Sequence, residues 1–181
     1  MPKIYLSPSL QDKNYYVDGG TEEYYMRLIA DAMEPYLTAS GISFDRSQFG
    51  MNPNQVANDS NQQKYGLHLA IHSNAAAGNL AGKVRGVQIY YYPTSVKGRQ
   101  LAEIIAANYR GIYPEPMNIA LIPSDRLAEL KRTKAPAVLI ETAFHDNPED
   151  AGWIKDNIET IARSLSQSVA QFLNVPFADI D

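Results

Sequence analysis

The sequence predicts an α/β fold, with a twisted, mostly parallel sheet of about six strands and helices on both faces. Short runs rich in β-forming residues alternate along the chain with helical stretches of ten or more residues, a pattern typical of parallel sheets covered by helices. A length of 181 residues with 45% hydrophobic residues suits one domain with a sizeable core. We therefore expect a single domain over residues 1–175, followed by a short C-terminal tail at residues 176–181.

The first half of the chain contains two predicted helices between predicted strands. The helix Thr21–Ala39 carries apolar residues at the spacing of one helical face, and Gly41 ends it. A loop rich in Ser, Asp, Asn and Gly covers Ser7–Gly20. The remaining predicted elements of this half are the strands Lys3–Ser7 and Ile42–Arg46 and the helix Pro53–Tyr65.

The second half repeats the alternation. Asn147 is a predicted helix cap, because Pro148 and two acidic residues follow it in the first turn. A long amphipathic helix over Ile154–Leu173 closes the chain. The other predicted elements are the strands Leu67–His72, Val87–Tyr92 and Ala137–Ile140 and the helix Lys97–Tyr109.

Composition excludes several functional classes. The net charge of −4 and the lack of a basic run argue against binding nucleic acid through its phosphates. No stretch approaches the roughly 18 apolar residues that span a bilayer, so we expect no membrane partner. The absence of cysteine excludes disulfides, a thiol nucleophile and a cysteine-based zinc site. A bound metal must use His, Asp, Glu or amide groups, and only His68, His72 and His145 supply imidazoles.

Two histidines lie on the same predicted strand. His72 is at its carboxyl end, the edge of an α/β sheet where ligands bind. His68 lies four residues earlier, roughly 13 Å away, so the two cannot share one metal ion on a regular strand. We interpret His68 as an interior histidine with satisfied hydrogen bonds, whereas His72 is either structural or a ligand.

Two glutamates occupy positions that the sequence predicts to be buried. Glu141 follows the apolar strand Ala137–Ile140, where a carboxylate is costly unless it is paired, metal-bound or protonated. It is either a general base at the rim that carries His72 or a carboxylate that caps a helix. Glu22 falls on the apolar face at the start of the first helix, where a ligand role and a purely electrostatic role are both open.

Four ordered motifs carry a resemblance to a known family. They are Ile71–Ala75 (IHSNA), Gly86–Tyr91 (GVQIYY), Lys134–Phe144 (KAPAVLIETAF) and Asn147–Ala151 (NPEDA). With them the chain resembles the zinc-dependent N-acetylmuramoyl-L-alanine amidases over Lys3–Leu173. Members of this family cleave the amide between N-acetylmuramic acid and L-alanine of peptidoglycan, so the resemblance implies a peptidoglycan substrate and one zinc ion.

The resemblance also implies residue roles. Glu22 and His72 match metal ligands of the family, and Glu141 matches its catalytic acid/base. Zinc accepts imidazole and carboxylate ligands and keeps a position for water, which agrees with these residue types. We expect Gln11 and Asn74 to bind substrate at the same rim.

The chain departs from the family at one metal ligand. The family has a histidine in the loop after the first strand, and Leu10 stands at that position here. His145, four residues beyond Glu141, is a predicted replacement ligand, and the amide oxygen of Gln11 is a poorer alternative. The third reading is that His145 only packs before the Asn147 cap.

Two functional hypotheses follow. The first is a zinc-dependent peptidoglycan amidase. The second is a non-catalytic wall-binding module that kept the fold and lost the metal site with Leu10. Because the N-terminus lacks the apolar run of a secretion signal, we expect synthesis in the cytoplasm and action on the cell wall after lysis or non-classical release, as for an endolysin or an autolysin.

Overall fold

The computed structural model describes residues 1–180, and Asp181 lies outside the described residues. The strands are β1 (Lys3–Pro8), β2 (Ser43–Arg46), β3 (His68–Asn74), β4 (Val87–Tyr91), β5 (Ile119–Pro123) and β6 (Ala137–Phe144). The helices are α1 (Glu22–Ala39), α2 (Pro53–Ser60), α3 (Val96–Tyr109), α4 (Ala128–Lys131), α5 (Pro148–Asp156) and α6 (Ile158–Leu173), with a 3₁₀ turn at Gly78–Leu80.

The strands form one six-stranded sheet in the order β2-β1-β3-β6-β4-β5. The pairs β1–β2, β1–β3, β3–β6 and β4–β5 are parallel, and only β4–β6 is antiparallel. The predicted α/β class and mostly parallel sheet are therefore confirmed. The single reversal means that β4 and β5 run opposite to the other four strands, so their carboxyl ends lie at the other edge of the sheet.

Helix α1 ends at the predicted Ala39 and begins one residue after the predicted Thr21. The Thr21 side chain caps its first turn by accepting a hydrogen bond from the N–H of Tyr24. At the other end Gly41 has a φ of +71°, a left-handed conformation that costs glycine little. The N–H of Gly41 donates to the Thr38 carbonyl and the next N–H donates to the Leu37 carbonyl, the bonding pattern of a Schellman stop.

Several predicted boundaries are wrong. The helix predicted over Ile154–Leu173 is interrupted at Asn157, which leaves helical geometry and separates α5 from α6. The second helix ends at Ser60 instead of Tyr65. The strand predicted to end at Ile140 continues through Glu141 to Phe144, because pairing with β3 continues to that point. Strand β5 and the four-residue helix α4 have no counterpart in the sequence prediction.

The hydrophobic cores on the two faces of the sheet differ in size. Helices α1, α3 and α6 pack against one another over the larger core, which includes Ile71 and Ile140. The opposite face has a small core of Ala70, Leu130 and Leu139 beneath α4. Side chains alternate along a strand, so His72 and Glu141 share the face of Ala70 and Leu139. The candidate site therefore lies on the thinly covered face.

The end of the chain lies against α1. After α6, the ring of Phe177 stacks on Tyr36 with a centroid distance of 5.9 Å. The N–H of Ala178 donates to the Ser40 hydroxyl at 2.9 Å. The predicted tail thus contacts the domain through Phe177 and Ala178. Among residues 1–180, no helix combines the length and apolar character that crossing a membrane requires.

A buried carboxylate fixes the far end of β6. Asp150 has no solvent exposure, and its Oδ2 accepts the backbone N–H groups of Gly86 and Phe144 at 3.0 and 3.1 Å. Its Oδ1 accepts from the Arg85 guanidinium at 3.0 Å and from the Tyr113 hydroxyl at 2.8 Å. One side chain thereby joins the start of β4, the end of β6 and the first turn of α5.

We expect Asp150→Ala to lower the free energy of unfolding by about 3–5 kcal/mol, because it leaves two buried backbone N–H groups and the buried Tyr113 hydroxyl without their acceptor. Urea unfolding at pH 7 measures this. The matched control is Glu149→Gln, which touches the same Arg85 with a side chain that is 72% exposed and should change stability by less than about 0.5 kcal/mol. Equal effects of the two substitutions would contradict the assignment.

Candidate active site

The structure brings Glu22, His72 and Glu141 to one place, the edge at which β3 and β6 approach their carboxyl ends. His72 is the register partner of Glu141 across the parallel pair, so the two side chains lie next to each other on one face. Glu22 arrives from the first turn of α1. Three elements that are distant in sequence thus converge as the sequence predicted.

Glu22 and His72 are in direct contact. The Nδ1 atom of His72 lies 2.9 Å from Oε1 of Glu22, whose side chain is 1% exposed. The second carboxylate oxygen accepts from Asn14 Nδ2 at 2.7 Å, and the N–H of Ser73 approaches Oε1 at 3.4 Å. The buried position that helical phase predicted for Glu22 is confirmed, and polar partners offset the cost of burial.

The two members of this pair stabilise each other's charge. Burial alone would lower the pKa of His72, but the hydrogen bond with Glu22 and the charges of Glu141, Glu22 and Glu129 raise it to about 9. Burial alone would raise the pKa of Glu22, but the hydrogen bonds and charge of His72, with help from Asn14, bring it below the usual value. Without a metal ion, the pair is an imidazolium–carboxylate pair at neutral pH.

The pKa of Glu141 is shifted in the opposite direction from the pKa of Glu22. Its Oε2 atom is buried without a hydrogen-bond partner. Burial raises the pKa of Glu141 to about 7, with the neighbouring His72 charge opposing the shift and Glu22 adding to it. A carboxyl group that titrates near neutral pH is suited to accept and return a proton.

His145 is buried and contacts Ser73, the residue that follows His72. Its Nδ1 lies 2.9 Å from the hydroxyl of Ser73, which also accepts from the Tyr16 hydroxyl at 2.9 Å. The His145 ring stacks on Tyr16 with a centroid distance of 5.1 Å. Burial lowers the pKa of His145, which favours the neutral imidazole. His145 is thus connected to Glu22 through Ser73.

A cavity of about 330 Å³ opens beside His72, and Leu10 and Gln11 both line it. Leu10 therefore faces the region in which its sequence position predicted a missing ligand. Gln11 is exposed, and its Oε1 accepts from Asn14 Nδ2 at 2.8 Å. The same Asn14 amide group donates to Glu22, so Asn14 links Gln11 to Glu22.

Asn74 lies at the end of β3. Its Nδ2 donates to Gln88 at 2.8 Å, and its Oδ1 accepts from the N–H of Ala75 at 2.8 Å. Gln88 is the register partner of Glu141 across the antiparallel pair. Asn74 is therefore held near the candidate site by its neighbours.

Sequence reasoning missed Glu129, a buried carboxylate on α4. Its Oε2 lies 2.8 Å from His68 Nε2, and its Oε1 lies 4.0 Å from His72 Nε2. His68 is fully buried and also contacts the Ser60 hydroxyl at 2.9 Å, so its predicted interior role is confirmed. No local signal indicated Glu129, because the basic Lys131 and Arg132 follow it as on a solvated surface.

The donor types at this site suit zinc for two positions. Glu22 supplies a carboxylate and His72 an imidazole, both common zinc ligands, and the contacting atoms are 2.9 Å apart. Within residues 1–180, no group of three or more His, Asp or Glu side chains is arranged to hold a metal ion. Glu22 and His72 therefore fit the ion as a pair of ligands.

Comparison with known proteins gives a family match over most of the chain. Residues 10–171 match the family model of N-acetylmuramoyl-L-alanine amidase. An endolysin of Bacillus phage SPP1 is 27% identical over 125 residues, which cover 66% of this chain and 44% of the endolysin. The match therefore spans less than half the length of that relative.

Solved structures share the fold at low sequence identity. The amidase Ami1 from Mycobacterium smegmatis superposes with a TM-score of 0.83 at 18% identity, covering 96% of this chain and 97% of that one. The amidase AmiC2 of Nostoc punctiforme has a TM-score of 0.83 at 16% identity, with the same coverage of 96% and 97%. The six-stranded α/β architecture is thus the architecture of these proteins.

The raised pKa of Glu141 has a consequence for stability in metal-free protein. Between the ordinary pKa of 4.5 and the folded value of about 7, the folded state retains a proton that the unfolded state loses. The favourable contribution is complete below pH 4.5 and disappears as the pH rises through 7. We therefore expect Glu141→Gln to be more stable than wild type by about 3 kcal/mol at pH 8, with the difference shrinking towards pH 4.5.

Urea unfolding in the presence of a chelator, repeated between pH 4.5 and 8, measures this difference. Glu103→Gln, in an exposed ion pair with Arg99, is the control and should show no comparable pH dependence. A stability difference for Glu141→Gln that is the same at every pH would contradict the raised pKa.

Proposed function

Because the chain belongs to the N-acetylmuramoyl-L-alanine amidase family, we propose that it is a zinc-dependent hydrolase of bacterial peptidoglycan. The bond cleaved is the amide between N-acetylmuramic acid and L-alanine. The observation that carries the proposal is the buried Glu22–His72 contact beside Glu141, whose pKa is raised to about 7. A wall-binding module has no need of a buried, unpartnered carboxylate next to two potential metal ligands.

Glu141 is the proposed catalytic acid/base. In its ionised form it takes a proton from the attacking water, and it then returns that proton to the amine of the departing L-alanine. A pKa near the working pH makes both transfers accessible to one group. Its position beside His72 in the strand register keeps the carboxyl group at the site without a flexible loop.

Glu22 and His72 are the proposed metal ligands. When bound, zinc supplies Lewis-acid chemistry, which acidifies water and stabilises negative charge on the amide oxygen. Asn14 and the Ser73 N–H hold Glu22 in place, so the carboxylate is oriented before the metal arrives. His145 is the proposed third ligand and Gln11 is its alternative.

Peptidoglycan is the proposed partner, and Gln11 and Asn74 are proposed to bind it. Both lie near the catalytic groups, Gln11 at the cavity beside His72 and Asn74 beside Gln88. The similarity to a phage endolysin supports action on the cell wall, and we propose that the protein reaches the wall after lysis.

Zinc content and amidase activity test the proposal together. Protein purified without chelators or immobilised metal should hold about one zinc per chain by plasma mass spectrometry. It should release new L-alanine amino groups from Gram-positive cell walls. We expect His72→Ala to lose zinc and activity, and Glu141→Gln to retain zinc while its rate falls by about 10²–10⁴-fold.

The control is Glu103→Gln, which should match the wild type in zinc content and in rate. Sedimentation with cell walls without any release of amino groups, even with added zinc, would overturn the amidase proposal. That result would favour the wall-binding module instead.

The third ligand is tested by two substitutions. We expect His145→Ala to weaken zinc binding, because zinc would lose one of three protein ligands, and Gln11→Ala to leave it unchanged. Competition with a chromophoric chelator measures both affinities. Weakening in Gln11→Ala alone would assign the position to the amide oxygen, and unchanged affinity in both variants would remove both residues from the site.

A further inference from the structure

The proposed metal ligand His72 has one ring nitrogen without a partner. Its Nδ1 contacts Glu22, whereas its Nε2 is buried and makes no hydrogen bond. An unsatisfied buried N–H is energetically unfavourable. The Oε1 atom of Glu129 lies 4.0 Å from this Nε2 atom.

Glu129 is held firmly in this position. Its side chain is 7% exposed, and its Oε2 lies 2.8 Å from His68 Nε2. His68 is itself fixed by the Ser60 hydroxyl at 2.9 Å and by stacking on the Tyr5 ring at a centroid distance of 5.1 Å. Ser7 also forms a side-chain hydrogen bond with the Glu129 carboxylate, whose Oε1 atom lies on the side of His72.

The fold makes room for this carboxylate between the two histidines. His68, Ala70 and His72 share one face of β3, since side chains alternate along a strand. Ala70 is the residue between the two histidines on this face, and its side chain packs in the small core with Leu130.

The geometry excludes Glu129 from sharing a metal ion with Glu22. The two carboxylates lie against different nitrogens of one imidazole, and the lone pairs of those nitrogens point away from each other. An ion bound by Nδ1 and Glu22 is therefore on the other edge of the ring from Glu129. A histidine bound to metal through one nitrogen commonly donates its second N–H to a carboxylate, which fixes the tautomer and the ring orientation.

We propose that Glu129 is a positioning residue, whose carboxylate accepts a hydrogen bond from Nε2–H of His72 and so makes Nδ1 the metal-binding nitrogen. The inference rests on the proposed function. A distance of 4.0 Å exceeds that of a direct hydrogen bond but suits a bridge through one water molecule. His72 and Glu129 both line the cavity of about 330 Å³.

The first test uses the unaltered chain. Nuclear magnetic resonance of protein labelled with ¹⁵N at its three histidines reports which ring nitrogen is protonated and which binds metal. In the zinc-loaded protein we expect Nδ1 of His72 to bind the metal and Nε2 to carry a proton that exchanges slowly with solvent. Metal on Nε2 would overturn the inference.

The second test is Glu129→Gln. Glutamine keeps the shape and an acceptor oxygen for His68, so we expect the protein to fold, which circular dichroism of the metal-free form checks. Loss of the charged acceptor should weaken zinc binding by about 10- to 100-fold in chelator competition, and should speed exchange of the His72 Nε2 proton. Glu103→Gln, with an exposed carboxylate on α3, should change neither quantity.

The outcomes separate the inference from the proposed function. If the wild type binds zinc and Glu129→Gln matches it in affinity and in proton exchange, the positioning role is overturned and the amidase proposal stands. If the wild type binds no zinc, the proposed function is overturned together with this inference. Weaker zinc binding and faster exchange in Glu129→Gln alone would support the positioning role.

Discussion

The contact between Glu22 and His72 is the constraint on which the rest of the site depends. A carboxylate with 1% exposure is unfavourable unless charge and hydrogen bonds compensate for the lost water. The compensation comes from His72 and Asn14. The start of α1, the preceding loop and the end of β3 must therefore meet.

Burial acts with opposite results on the two glutamates of the site. Glu22 has a cationic partner in contact and remains ionised, whereas Glu141 has a buried oxygen without a donor and titrates near pH 7. One residue type thus provides both a fixed anion and a proton carrier, and the difference comes from the hydrogen bonds and the contacting charge that Glu22 has. The thin covering on this face of the sheet leaves the cavity beside His72.

The sequence predicted those features that depend on local physics. The extent of α1 follows from apolar periodicity and a glycine stop. The strand position of His72 and the buried phase of Glu22 follow from the same periodicities. Helix α4 has four residues, too few to show a period. The interruption at Asn157 escaped prediction because the apolar pattern continues across it, with buried Ile154 before and Ile161 after.

By itself the sequence determined the fold class and the kinds of donor available. These properties belong to single residues or to short periodic segments. Only the tertiary structure decided that Glu129 arrives opposite His72, that His145 binds Ser73, and that Glu22 faces Nδ1. The physical reason is that a sequence names a histidine without distinguishing its two ring nitrogens. Long-range packing of strands and helices decides which carboxylate each nitrogen faces.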